Sequence, residues 1–279
     1  MALTTLHTNL PALGAQRSLG TNQTALEGSV RRLSSGFRIN NAGDDAAGLA
    51  VSESLKAQIR GLSQAVRNAN DGVSVVNTAE GALNEVSNIL IRMRELSVQS
   101  ASDGISDVER GYLQMEFDQL RDEMNRIATA TEFNGRKLLD GSASAVGLDF
   151  QIGIRTAAVD RLTVTIPNMS ADTMGITSTL GVDTMANSLA TMSQIDVAMQ
   201  TLNGARATLG AFSNRLQSTI ESLSVASESL SAANSRIRDT DVAKESAVMA
   251  SNQVLVQAGV SMLAQANSQP FVLNQLLQS

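Results

Sequence analysis

From Val51 to Leu96, apolar residues recur at every third or fourth position without a break, through Leu62, Val73, Val76, Leu83, Leu90 and Met93. That spacing keeps one side chain per turn on one face of an α-helix, and at 1.5 Å per residue the run predicts a rod about 70 Å long. A helix cannot bury so long a seam by itself. A second run of the same spacing extends from Met185 to Ile237, and a third, Leu113, Phe117, Leu120, Met124 and Ile127, follows the first after the turn-like SASDGISD at 100–107. Ser106 followed by Glu109 has the form of a capping box, so the third helix starts there and folds back on the first. The three seams together predict an antiparallel helical bundle. Proline, the strongest helix breaker, occurs only at Pro11, Pro167 and Pro270, which leaves both long runs intact.

Between the bundle helices, FNGRKLLDG at 133–141 reads as a turn, and the alternating LDFQIG and RLTVTI read as a small β-hairpin. Residues 167–182, with Pro, Gly and many hydroxyls but no period, read as a short surface connection. The two ends are unusual in charge: residues 1–16 and 246–279 contain no Asp, Glu, Lys or Arg. Chain ends that fray into water carry charge freely, so long neutral amphipathic ends point to surfaces meant for burial. Ala12, Leu19, Leu26 and Leu33 recur every seven residues, as do Val248, Leu255 and Met262 beside Met249, Val256 and Leu263. Both ends read as coiled-coil helices that pair with each other and, between copies, with themselves.

The fold expected is therefore mainly α: a long antiparallel helical bundle with terminal coiled-coil helices and a small β-hairpin. Several functions are disfavoured by composition. A net charge of −6 with 3% aromatics offers no basic, aromatic-bearing patch for nucleic acid. No unbroken apolar run approaches the ~18 residues of a membrane span, and the terminal helices lack a basic face for lying on a membrane. His7 is the only histidine and cysteine is absent, so neither a His-based triad nor a zinc–thiolate site can be assembled. The adjacent Asp44 and Asp45 sit in a Gly/Asn loop where acids commonly serve as caps. The expectation is no enzyme and no cofactor, with the methionines acting as core filler.

The segment RLSSGFRINNAGDDAAGLAVSESLKAQIRGLSQAVRNANDGVSVVNTAEGALNEV at 32–86 resembles the N-terminal region of bacterial flagellins. The resemblance continues through ILIRMRELSVQSAS, TEFNGRKLLDG, LGAFSNRLQSTIESL and IRDTDVAKESAVMASNQVLVQAGVSMLAQAN, and so covers nearly the whole chain. It departs in the middle, where many flagellins insert large outer domains, which implies a short form with the core domains alone. The implied organisation is an N-terminal inner-tube helix and linker at 1–47, a helical rod at 48–166 and 183–240 with the connection 167–182 in place of outer domains, and a C-terminal inner-tube helix at 241–279. Arg31, Arg32, Arg38, Asp44 and Asp45 are the implied polar contacts of the linker.

The implied function is a subunit that polymerises into the extracellular flagellar filament for motility; the alternative is a hook–filament junction protein with the same terminal architecture, which the long match at 32–86 disfavours. The resemblance also implies export through the flagellar type III apparatus without a cleaved signal peptide, hook-associated junction and cap proteins and a secretion chaperone as partners, and Toll-like receptor 5 as a host partner. Arg92, Leu96 and Gln99, with Glu116 on the next helix, match the receptor-contacting positions. Ser170, Thr173, Thr177, Ser178 and Thr179 are the candidate O-glycosylation sites on the outer surface.

Overall fold

The computed structural model describes residues 8–278, with side chains as far as residue 268; His7 lies outside the described residues. Each long apolar run is one uninterrupted helix, α2 (Ala46–Ser100) and α5 (Met185–Arg238), and the third run lies in α3 (Asp107–Ala130). Two further helices, α1 (Leu10–Ser35) and α6 (Val242–Gln278), occupy the ends, and a single turn, α4 (Ser142–Ala145), lies between α3 and the hairpin. The chain divides into two compact units, Gln58–Glu228 and the stretches before and after it. The division falls inside α2 and α5, ten or so residues within the rod boundaries that the family resemblance implies.

In the unit 58–228 the expected seams meet. Val76, Leu83, Leu90, Met93 and Leu96 of α2 are buried with Phe117 and Met124 of α3 and Ile195, Leu202, Leu209 and Leu216 of α5. The turn between α2 and α3 is held at both ends. Ser106 Oγ accepts from the Glu109 N–H at 3.4 Å while Glu109 Oε2 accepts from the Ser106 N–H at 2.8 Å, completing the capping box. Arg110 is almost wholly buried, and its guanidinium donates to the carbonyls of Ser100 and Ser102, both at 3.0 Å, which satisfies carbonyls left open where α2 ends.

The β-hairpin pairs β3 (Leu148–Gln151) with β4 (Arg161–Val164), antiparallel and in register from Leu148↔Val164 to Gln151↔Arg161. Leu162 and Val164 point into the core and Arg161 and Thr163 to water, as alternation requires. A smaller pair, β1 (Glu132–Phe133) with β2 (Arg136–Lys137), was hidden in the segment read only as a turn. Asn134 and Gly135 form its two-residue loop with φ of 49° and 78°. Positive φ at both positions is what a tight hairpin needs, and Asn-Gly supplies it at little steric cost.

The connection 167–182 has no strand or long helix, as expected, but it is not a surface loop. Met169, Ala171, Met174, Ile176 and Val182 are buried in the common core. Side chains from all three helices hold its backbone: Asn125 Oδ1 accepts from the Ala171 N–H at 2.9 Å, Thr191 Oγ1 donates to the Gly181 carbonyl at 2.8 Å, and Ser100 Oγ donates to the Val182 carbonyl. Buried backbone without a ladder must find partners of this kind.

Candidate assembly surface

The terminal unit is built on an antiparallel pair. Asn9 caps α1, its Oδ1 accepting from the Ala12 N–H at 3.1 Å, and its Nδ2 donates to the Ala266 carbonyl at 2.8 Å near the far end of α6. At the other end of the pair, Arg32 lies 3.5 Å from Glu245. Between these ties the expected heptad positions Ala12, Leu19, Leu26 and Leu33 turn inward, with Ala15, Asn22 and Ser29 between them. On α6 the inward set is Met249, Val256 and Leu263, with Asn252 and Gly259 between them. Leu19 closes on Gly259, where a Cβ would come within 3.2 Å of it.

Of the two heptad stripes on the C-terminal helix, one is therefore used within the chain and the other is left over. Val248, Leu255 and Met262 lie one residue, about 100°, round the helix from the seam, and they are 41–66% exposed. Leu10 and Leu13 on α1 are also largely exposed. The stretch Val242–Ser268 has a mean hydropathy of 1.3, long and apolar enough by length and composition to cross a membrane. It is nevertheless punctuated by Ser, Asn and Gln at 246, 251, 252, 253, 257 and 261, so no unbroken apolar run exists. Two helices can cover only a narrow seam, and none of the described residues of this unit covers the second stripe.

Where α1 leaves the pair, a compact polar joint forms, and the five linker residues have different roles in it. Arg38 donates from its backbone N–H to the Arg238 carbonyl at 2.7 Å and from Nη2 to the Ile237 carbonyl at 2.7 Å. Arg32 makes the ion pair with Glu245 already described. Asp44 Oδ2 accepts from the N–H groups of Asn41 and Asn40, both at 3.0 Å, and these bonds hold its carboxyl below the usual carboxylate range. Asp45 caps α2 by accepting from the Gly48 N–H at 2.8 Å. A side chain at Gly48 would collide with that carboxylate and with buried Ile39. Arg31 is exposed and acts on Asp44 only through its charge.

The residue at the centre of this joint was not among the expected ones. Arg238 stacks 4.8 Å from the centroid of the Phe37 ring and pairs with Glu53 at 2.6 Å, and Ser52 donates to Asn234 at 2.8 Å. That last bond explains a local departure from the seam: Ser52 is buried and Val51, the first residue of the apolar run, is half exposed. Only the alternation of small and charged residues near 234–238 hinted at it, and the apolar period masked that signal.

The remaining candidates lie in the unit 58–228. Arg92 donates to Glu116 at 2.7–2.8 Å and pairs with Glu95 at 3.0 Å, so two candidate receptor contacts bind each other on the surface. Gln99 is exposed as well, but Leu96 is fully buried in the core between them and is not a surface anchor. Of the candidate glycosylation sites Thr173, Ser178 and Thr179 are exposed, whereas Ser170 and Thr177 are half-buried, their hydroxyls bonded to those of Thr173 and Thr179 at 2.9 and 2.7 Å. Among the described residues no three His, Asp or Glu side chains cluster as a metal site.

Comparison with known proteins identifies the family. Residues 6–144 match the bacterial flagellin N-terminal helical region and residues 192–277 the bacterial flagellin C-terminal helical region. The chain belongs to the bacterial flagellin family. This flagellin is 45% identical to the flagellin of Halalkalibacterium halodurans over 97% of its own length and 98% of that protein's, so the short middle is common to both. It is 44% identical to the flagellar filament 30.7 kDa core protein of Treponema maltophilum, over 94% and 95% of the two chains. The crystal structure of Bacillus cereus flagellin is 32% identical over 56% of this chain and 88% of that one, with a TM-score of 0.48. The flagellin is a structural subunit of the extracellular flagellar filament, and the junction-protein alternative is not favoured.

Proposed function

We propose that the chain enters the filament through its α1–α6 pair, with Val248, Leu255, Met262, Leu10 and Leu13 buried between subunits in an inner tube lining the filament channel. The observation that carries this reading is the second heptad stripe of α6, apolar, regularly spaced and exposed in the single chain. Contiguous apolar surface of this kind marks a protein–protein contact. Replacement of Leu255 by Glu puts a charge into that contact without touching the inward seam. The substituted chain keeps its helix content and loses seeded filament growth; unchanged growth would contradict the reading.

Family membership supports the wider set of partners. The proposed set is export through the flagellar type III apparatus, a secretion chaperone seated on the apolar face of α6 before assembly, and junction and cap proteins at the filament ends. Toll-like receptor 5 recognition of the dissociated monomer rests on exposed Arg92, Gln99 and Glu116, which offer directed hydrogen bonds on one surface. O-glycans on Thr173, Ser178 and Thr179 are sterically open. Intact-mass measurement of native filaments then shows added mass, peptide mapping places it on residues 173–179, and an unmodified mass removes the glycans.

A further inference from the structure

The unit 58–228 carries two more apolar surfaces that no part of it covers. On α3, Val108, Tyr112 and Met115 are spaced by four and three and are 66–68% exposed. They form a ridge on the side of that helix opposite Phe117 and Met124, which face the core. The second surface is a groove of about 590 Å³ between α2 and α5, lined by Ile91 and Val98 from one helix and Met199 from the other. The ion pair of Arg94 with Asp196, at 2.8 Å, crosses it.

Ridge and groove face away from each other. Arg92 points from α2 towards α3, where it meets Glu116, and Arg94, two residues and about 200° further round, points towards α5. The groove lies on the Arg94 side, across the bundle from α3. A body with complementary patches on opposite faces joins head to tail, and where the rotation does not close the product is an open helical polymer. A surface that closed on itself would instead give dimers.

We propose that the α3 ridge of one subunit seats in the α2–α5 groove of the next, with Tyr112 as its central anchor; the proposal rests on the filament reading. The groove supplies what a tyrosine ring needs, an apolar floor with the polarisable sulfur of Met199 and the polar groups of Arg94, Asp196 and Gln99 at its edge. Tyrosine with a hydroxyl at a polar rim is a common interface anchor. The occupant is a second copy because the family forms a homopolymer and both halves of the contact are on this chain.

Tyr112 is the only tyrosine and there is no tryptophan or cysteine, so the chain carries its own probe and a clean background for cross-linking. Acrylamide quenching of tyrosine fluorescence is measured on unmodified monomer and filament. Filaments of chains bearing Val98→Cys, Met115→Cys or both are treated with a short bismaleimide. The expected result is a several-fold fall in quenching on assembly, with a ladder of linked subunits from the double variant and none from either single one. Normal filaments in which Tyr112 stays as accessible as in the monomer overturn the contact, and so does a ladder from Met115→Cys alone, which requires ridge against ridge. If the unmodified chain forms no filament with seeds, it is the filament reading that fails.

Discussion

Removing residues 246–279 is expected to abolish filament formation and leave a soluble helical protein. The deletion takes Met249, Val256 and Leu263 from the inner seam and Val248, Leu255 and Met262 from the outer stripe, so both the intrachain partner of α1 and the proposed intersubunit surface go together. Most of the stability of a helix in a protein comes from packing of its apolar face, so α1 without its partner loses much of its helix. The unit 58–228 keeps its whole core, because none of its buried residues comes from α6. Circular dichroism should show the helices α2, α3 and α5 retained, and electron microscopy after seeding should show no filaments. Filaments of ordinary length from the truncated chain would refute assembly through the termini.

A second large effect is expected at Leu96, and it separates folding from recognition. The residue is 0% exposed, within the cluster that joins α2, α3 and α5. Leu96→Ala deletes buried methyl groups and opens a cavity, which costs roughly 2–5 kcal/mol. Against the ~5–15 kcal/mol that typically stabilises a domain, that is a large share. Denaturant unfolding of the monomer measures it. Arg92→Ala removes two exposed ion pairs, with Glu95 and Glu116, and should leave the unfolding midpoint nearly unchanged. In a reporter-cell assay, monomer is expected to activate Toll-like receptor 5, Arg92→Ala monomer to do so weakly, and cross-linked filament barely at all. Equal signal from all three would remove the receptor proposal, and a Leu96→Ala chain of unaltered stability would contradict its burial.

Legibility followed periodicity. The seams at 51–96, 113–127 and 185–237 announced three helices because each must present one apolar side chain per turn to a shared core, and the capping residues Ser106 and Glu109 marked where α3 begins. The β-hairpin showed itself through alternation in RLTVTI. Aperiodic burial was not readable: Met169, Met174 and Ile176 lie in the core at irregular intervals, their backbone held by Asn125, Thr191 and Ser100 from distant positions. Side chains that bond backbone leave no repeating trace. The same reason hid Arg110 and Arg238, whose guanidinium groups close a turn and a joint.

For the candidate surface, the sequence placed two heptad stripes side by side on the last helix without saying which turns inward. Packing decides between them, because the Met249 stripe comes with Gly259, where Leu19 can approach closely, and the Val248 stripe has no such recess. The receptor residues show the opposite limit. Their spacing of four and three is equally compatible with an exposed face and with the core, and Leu96 belongs to the core.

In the proposed filament the outer stripe of α6 is buried between subunits. An electron cryo-microscopy reconstruction of filaments grown from this chain tests it directly. The expected map has Val248, Leu255 and Met262 in contact with apolar side chains of a neighbouring subunit along an inner tube, with the Met249, Val256 and Leu263 seam still facing α1 of the same chain. A map in which Val248, Leu255 and Met262 face solvent while the subunits join elsewhere would contradict it.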